Sequence, residues 1–419
     1  MNPAAELPDS IPIGTPRDIR LDMLRGIAVF VVLFDHIEDL LGFWLVRYWT
    51  PISCGYSDGS DAFVFLSGIV FGRVYSKRLE REGWNPSLKK VLRRSLQIYA
   101  VYLLVTGTLI LIGLALRTYA PELIPILNLE VGTAVRGFST FAMLYQPYGT
   151  QILCFYSIVL PLMLGLLKLY GNRPISAILV SFGLYCVSQG VQSVSLPRLP
   201  WGREWYFNPF AWQFLFFIGM VITINHRLTS RVKHFRYRTL VVACVFLLVS
   251  LVIKKGWLNL LHVPQATEMQ VWLDETFESW SYKSRLRPLR ILHFLSLFLV
   301  IYLALPERES QFWTMRGIRT LVQCGQNSLE LYALGVILSV IAIPLSRFVG
   351  NSLGTAAGMD LGASLLSIGL ATYLSRNKKA RSRSLQSGEI ETSSQLPECS
   401  SVSRGTAGNQ RRVYESTLS

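Results

Sequence analysis

The 419-residue chain is 51% hydrophobic and only 16% charged, with a mean hydropathy of +0.37, whereas soluble domains carry roughly 25% charged residues. That deficit excludes an ordinary soluble domain and points to lipid. The net charge of +15 would suit a nucleic-acid binder, but the Lys and Arg residues sit in short loops between apolar runs, as the cytoplasmic positive bias of membrane proteins places them; no nucleic-acid partner is expected.

The first twenty residues are polar and carry Pro3, Pro8, Pro12 and Pro16, unlike the charged-then-apolar order of a cleaved signal peptide. Insertion is therefore expected to begin with the first span. Apolar length, tested against the roughly 20 residues that cross about 30 Å of hydrocarbon, predicts ten spans. They fall at about 23–46, 60–76, 96–116, 151–169, 174–191, 209–225, 239–256, 289–305, 323–345 and 354–375. The segment 131–147 is short, is interrupted by Arg136 and Gly137, and ends at Pro147. If it does not cross, the basic loops 73–94 and 226–238 and the stretch after Ser375 all fall on one side. It is accordingly expected to be re-entrant or surface-lying on the outer face, with both termini cytoplasmic. The expected fold is all-α, a polytopic transmembrane helix bundle. A polar lead (1–20) precedes a membrane domain (21–375), and the Ser- and Thr-rich stretch 376–419 is too polar to fold alone, hence a disordered cytoplasmic tail.

Outer loops 192–208 and 257–288 carry Trp201, Trp205, Trp257, Trp272 and Trp280. These rings are either interfacial anchors or a carbohydrate-stacking rim. Six scattered cysteines without a CxxC indicate neither a zinc site nor a disulfide framework, and no metal is expected.

An ionisable side chain inside a span costs about 2.5–3.5 kcal/mol, which makes each one a functional candidate. The first span, LDMLRGIAVFVVLFDHIEDL (21–40), holds the densest set. At about 100° per residue, Asp22, Arg25 and His36 share one stripe, Asp39 lies close to it, and Asp35 points about 100° away. Asp22 and Arg25 also have the spacing of an ordinary i,i+3 ion pair. His36, flanked by Asp35, Glu38 and Asp39, carries the one side chain that titrates near neutrality without tuning, which suits a general base. Asp61, Ser67, Trp212, Gln213, Arg290, His293, Asn327 and Glu330 are polar groups in other spans that could face the same cavity. Gly68 and Gly72 read as a helix-packing notch.

RDIRLDMLRGIAVFVVLFDHI (17–37), SDAFVFLSGIVFGRVY (60–75), NPFAWQFLFFIGMVI (208–222) and RPLRILHFLSLFLVIYL (287–303) resemble the OpgC family, membrane succinyltransferases that modify osmoregulated periplasmic glucans, within a wider superfamily of membrane acyltransferases. The resemblance implies a bacterial inner-membrane enzyme with no bound cofactor, taking an acyl-coenzyme A (succinyl-CoA) as co-substrate and a periplasmic glucan hydroxyl as acceptor. It carries His36 over as general base; Asp35, Arg25 and Asp22, from the reading of the first span, are the further catalytic candidates. It also implies arginines at the cytoplasmic entrance of the third span, which Arg93 and Arg94 supply. Asp61, Trp212, Gln213, His293 and Glu330 are the further candidates for substrate binding. Gln151 stands where the family pattern has an acidic residue. The rival function is a proton-coupled transporter or flippase, in which buried His and carboxylates relay protons.

Overall fold

A computed structural model describes residues 18–190, 194–225, 236–261, 263–307 and 310–394. The polar lead up to residue 17, the Arg227, Arg231 and Lys233 part of the basic loop, and the tail from 395 lie outside the described residues. The described chain is helical. In order it forms α1 (Ile19–Leu41), α2 (Pro51–Cys54), α3 (Gly59–Glu82), α4 (Trp84–Leu116), α5 (Leu123–Ile126), α6 (Thr133–Phe141), α7 (Gln151–Asn172) and α8 (Pro174–Gly190). A two-strand hairpin, β1 (Pro197–Arg198) against β2 (Arg203–Glu204), follows. Then come α9 (Pro209–Ile224), α10 (Arg236–Lys254), α11 (Pro264–Trp280), α12 (Pro288–Ala304), α13 (Arg316–Gln326), α14 (Ser328–Val349) and α15 (Leu353–Ser394). By its internal contacts the chain divides after Tyr373, and both cavities described below belong to the unit before that point.

Each apolar run of the sequence coincides with a helix, with one break. The expected ninth span, 323–345, is divided at Asn327, whose backbone (φ −115°, ψ 29°) leaves helical geometry between α13 and α14. Among the described residues, five helices are long and apolar enough to cross a membrane: Trp84–Leu116, Gln151–Asn172, Tyr237–Lys254, Ser328–Val349 and Leu353–Lys378. Three shorter apolar helices, Pro174–Gly190, Pro209–Ile224 and Pro288–Ala304, accompany them. In the doubtful segment 131–147 the helix α6 has nine residues, roughly 14 Å at 1.5 Å per residue, about half of the hydrocarbon thickness. Helix α15 continues past Arg376 as far as Ser394.

Two backbone-to-backbone approaches set the frame. On α3, a Cβ at Gly68 would stand 2.1 Å from the carbonyl oxygen of Phe216, and on α9 a Cβ at Gly219 would stand 2.3 Å from that of Phe65. On α1, a Cβ at Gly26 would stand 2.1 Å from the Leu321 carbonyl oxygen, and one at Gly325 on α13 would stand 1.7 Å from that of Asp22. Glycine alone fits at these four positions, because small residues let membrane helices touch through their backbones. The core filled around them includes Phe65, Phe155, Trp205, Trp212 and Phe216, all essentially inaccessible.

Caps place the helix ends that carry polar groups. Asp58 begins α3 as a capping box: its carboxylate accepts from the Ser60 N–H (2.8 Å), while the Asp61 carboxylate accepts from the Asp58 N–H (2.8 Å), so two otherwise unpaired donors are satisfied reciprocally. At the other end of the polar stripe, α1 stops at Gly42, whose φ of 75° lies in the left-handed region that glycine enters without a Cβ penalty. The chain then folds back over Glu38, whose buried carboxylate accepts from the N–H groups of Leu45 (2.7 Å), Val46 (2.7 Å) and Arg47 (3.1 Å). That turn brings Arg47 beside Asp39 (2.5 Å).

Candidate active site

His36 lines a cavity of about 300 Å³. Five separate parts of the chain build its polar lining: Asp35, His36 and Asp39 from α1 with Arg47 from the turn after it; Asp58 and Ser60 at the start of α3; Tyr148, Gly149 and Gln151 ahead of and at the start of α7; Arg198 and Tyr206 from the hairpin and the stretch after it; and Lys283 from the loop ahead of α12. The His36 ring meets Tyr148 edge-on (centroids 5.1 Å apart) and Tyr332 likewise (6.4 Å). Among the described residues it makes no hydrogen bond or ion pair, so neither ring nitrogen is committed to a protein partner. Asp35 lines the same cavity despite its offset on the helical wheel, and its carboxylate accepts from the Thr50 hydroxyl (2.7 Å). The Tyr148 hydroxyl donates to Asp39 (3.2 Å).

Beneath this lining lies a network of ion pairs. Lys283 meets Asp58 (2.5 Å), and Arg290 meets both Asp58 (2.8 Å) and Asp61 (3.0 and 2.7 Å). Burial alone would push the Asp58 carboxyl up, but Lys283 and Arg290 outweigh it and hold that group well below the usual carboxylate range. For Lys283 burial favours the neutral amine, yet Asp58 more than compensates and the ammonium titrates above its ordinary value. This wall of the cavity is therefore charged at neutral pH.

A second cavity, of about 310 Å³, takes Arg25 and Arg94 with Ser67, Tyr75, Tyr156 and Ser328 in an otherwise apolar wall. Arg25 donates to the Ser328 hydroxyl (2.8 Å), and Ser67 bonds the Tyr156 hydroxyl (3.1 Å). Arg25 and His36 are eleven residues apart on α1, roughly 16 Å along its axis. Phe63, Ile152 and Tyr332 line both cavities and form the partition between them. The Tyr332 hydroxyl donates to the Gly149 carbonyl (2.6 Å), which ties α14 to the loop ahead of α7.

Of the residues singled out in the sequence, the fold thus brings Asp35 and His36 to one cavity and Arg25 and Arg94 to the other. Asp22 lines neither. It is buried against α13, where Gln326 donates to it (3.2 Å), because the Gly26–Gly325 contact draws that helix over this part of the stripe. The six remaining candidates for substrate binding also line neither cavity. Arg93, one residue from Arg94 and so about 100° around α4, faces a shallow groove with Asn85, Lys89 and Leu96. Asp61 is consumed by Arg290 and the α3 cap. Trp212 is buried under the network, its indole N–H donating to the Lys283 carbonyl (3.1 Å). Gln213 bonds Ser181 (2.8 and 2.7 Å) and so joins α8 to α9. His293 pairs with the Ser57 hydroxyl (2.9 Å) and packs against Gly55 and Tyr56. Glu330 is half-buried in the first turn of α14. Of the other polar span residues, Ser67 reaches a cavity, while Arg290 and Asn327 line neither.

Sequence reasoning did not single out Asp58, Tyr148, Arg198, Lys283 or Tyr332 as site residues. All five lie outside the helical wheel on which the stripe was read, and reach the His36 cavity from positions distant in sequence. Among the described residues, no group of three or more His, Cys, Asp or Glu side chains could hold a metal ion.

Helices of membrane-spanning length and a charged cavity abutting a largely apolar one define a polytopic membrane protein with an internal site. Comparison with known families matches residues 17–379 to the family described as OpgC protein. The chain belongs to the OpgC family and has the acyltransferase role that this family implies. No curated protein matches it, and no solved structure does.

Proposed function

We propose that this chain moves a succinyl group from cytoplasmic succinyl-CoA to a hydroxyl of a periplasmic glucan, with His36 as general base. The observation that carries the reading is the pair of cavities abutting at Phe63, Ile152 and Tyr332, with Arg25 on one side and His36 on the other. The basic junction of α3 and α4 borders the Arg25 cavity through Tyr75, Val91 and Arg94. By the positive-inside tendency that end is cytoplasmic, and the His36 cavity opens to the periplasm of a bacterial inner membrane. The same tendency gives ten spans with both termini inside, α6 lying at the outer face, residues 21–375 as the acyltransferase domain, and 1–20 and 376–419 as polar flanks.

The apolar wall of the Arg25 cavity suits the pantetheine arm and thioester, while its entrance arginines suit phosphate. The thioester carbonyl reaches His36 at the partition. The acceptor hydroxyl loses its proton to His36 as its oxygen attacks the carbonyl carbon. The new C–O bond forms, the C–S bond breaks, and the proton passes from His36 to the departing coenzyme A thiolate. Arg25 and Asp22 position the lower part of α1 through Ser328 and Gln326, and Asp35 supports the turn that closes the site through Thr50.

The decisive experiment uses the full chain in sealed proteoliposomes with glucan oligosaccharide inside and labelled succinyl-CoA outside. Label should appear on lumenal glucan from molecules oriented with the Arg25 cavity outward. No lumenal label, with label appearing only when glucan is also supplied on the donor's own side, would reject a transmembrane reaction, and donor-independent glucan export would favour a transporter.

A further inference from the structure

Three cations line the His36 cavity, and two are already matched: Arg47 by Asp39 and Lys283 by Asp58, each at 2.5 Å. The third, Arg198, has no carboxylate partner among the described residues. Its Nε donates to the Glu204 carbonyl (2.8 Å), which leaves the two Nη groups uncommitted. It is also held firmly. Arg198 pairs with Arg203 across the hairpin, the next residue, Leu199, is buried and bonds the Leu144 carbonyl (2.8 Å), and buried Trp205 donates to the Pro197 carbonyl (3.1 Å). An aimed guanidinium with free donors at the edge of a cavity is arranged to receive an anion, preferably a carboxylate in bidentate contact.

We propose that Arg198 reads the free carboxylate of a dicarboxylic acyl group and so selects a charged acyl donor over a neutral one. This rests on the acyl-transfer reading above. With the thioester carbonyl at the partition, the far end of the acyl chain extends into the His36 cavity, where Arg198 stands. Asp35 lines the same cavity, but its carboxylate is already engaged by the Thr50 hydroxyl (2.7 Å). A site built to bind a charged group discriminates strongly against the analogue lacking it, since the binding group is then left unpaired.

The test is competition between equimolar succinyl-CoA and acetyl-CoA, with the purified full chain in proteoliposomes, an uncharged glucan oligosaccharide as acceptor, and mass spectrometry of the products. The wild-type chain should favour succinyl product. Arg198→Gln should lower the succinyl-to-acetyl ratio by about tenfold or more, the scale of one hydrogen bond to a charged group, and Arg198→Lys should restore part of it. Acetyl product made in the same vessel serves as the control for folding. A ratio unchanged in Arg198→Gln, an equal fall in both products, or no wild-type preference overturns the assignment. A His36→Ala chain that still transfers either group as the wild type does defeats the general-base reading while leaving the Arg198 ratio as a separate result; a wild-type chain that transfers neither group defeats both.

Discussion

The two cavities that flank α1 are nearly equal in volume and opposite in chemistry. The His36 cavity gathers three carboxylates, three cations and an imidazole from four regions of sequence, whereas the Arg25 cavity is a largely apolar slot with a few polar groups in its wall. Buried charge is costly unless paired, and the protein meets that cost at the first cavity with the Asp58–Lys283 and Asp39–Arg47 pairs. An environment that keeps fixed charge in a low-dielectric wall suits proton transfer and a developing oxyanion, and an apolar slot suits a thioester arm. On the proposed function, that contrast puts the chemistry at one end of α1 and delivery of the donor at the other.

Removing the imidazole breaks the contrast most directly. His36→Ala should lower acyl transfer by about 10²- to 10⁴-fold, the usual contribution of a positioned general base, with little change in the apparent affinity for the acyl donor. The measurement is single-turnover transfer from labelled succinyl-CoA. An equal loss in donor affinity and turnover would mean that His36 belongs to the binding wall and not to the chemistry.

The network beneath the charged cavity is expected to act on folding before it acts on rate. Asp61→Asn leaves Arg290 buried with half of its acidic partners, and breaking one side of a buried pair costs about 3–5 kcal/mol. Thermal melting in detergent should show a large loss, with the double variant Asp61→Asn, Arg290→Met recovering part of it. Unchanged melting would remove the network from the supports of the site.

The partition offers a smaller and sharper change. Tyr332→Phe keeps the ring between the cavities but removes the hydrogen bond to the Gly149 carbonyl, a loss of about 1 kcal/mol and so several-fold in transfer. Tyr332→Ala opens the partition itself and should raise hydrolysis of the donor by water relative to transfer. If the ratio of hydrolysis to transfer stays constant across both variants, Tyr332 does not separate the compartments.

Helices were legible in the sequence because lipid imposes long apolar runs, and each run became a helix. The break at Asn327 was not, since no proline marks the junction of polar α13 and apolar α14, and Gly325, two residues before it, remains inside α13. On α1 the helical repeat singled out Asp22, Arg25 and His36, of which Arg25 and His36 reach cavities while Asp22 is covered by α13, and Asp35 reaches the His36 cavity from off the stripe. The repeat could not foresee that Asp61 and Arg290, 229 residues apart, neutralise each other, and each alone therefore reads as a functional charge in a span. Arg198 and Lys283 were illegible for the converse reason. They lie outside the helices, where a cation is ordinarily solvated, and only the folded chain brings them to the His36 cavity.

Adjacent arginines on α4 give the finest comparison. Arg94 lines the Arg25 cavity and is braced by Gln97 (2.8 Å), whereas Arg93 faces the separate groove; both side chains are exposed. An exposed charge contributes no more than about 1 kcal/mol to a contact, which sets the effect at a few-fold. Arg94→Gln should raise the KM for the acyl-CoA by about two- to fivefold without changing kcat, while Arg93→Gln should leave both constants as they are. Because exposed charges are screened beyond about 10 Å at 0.1 M salt, the difference between the variants should narrow as ionic strength rises. Equal effects at all salt concentrations would show that the basic 73–94 stretch, the end of α3 and the start of α4, acts as a diffuse positive field, and that the Arg25 cavity has no dedicated entrance.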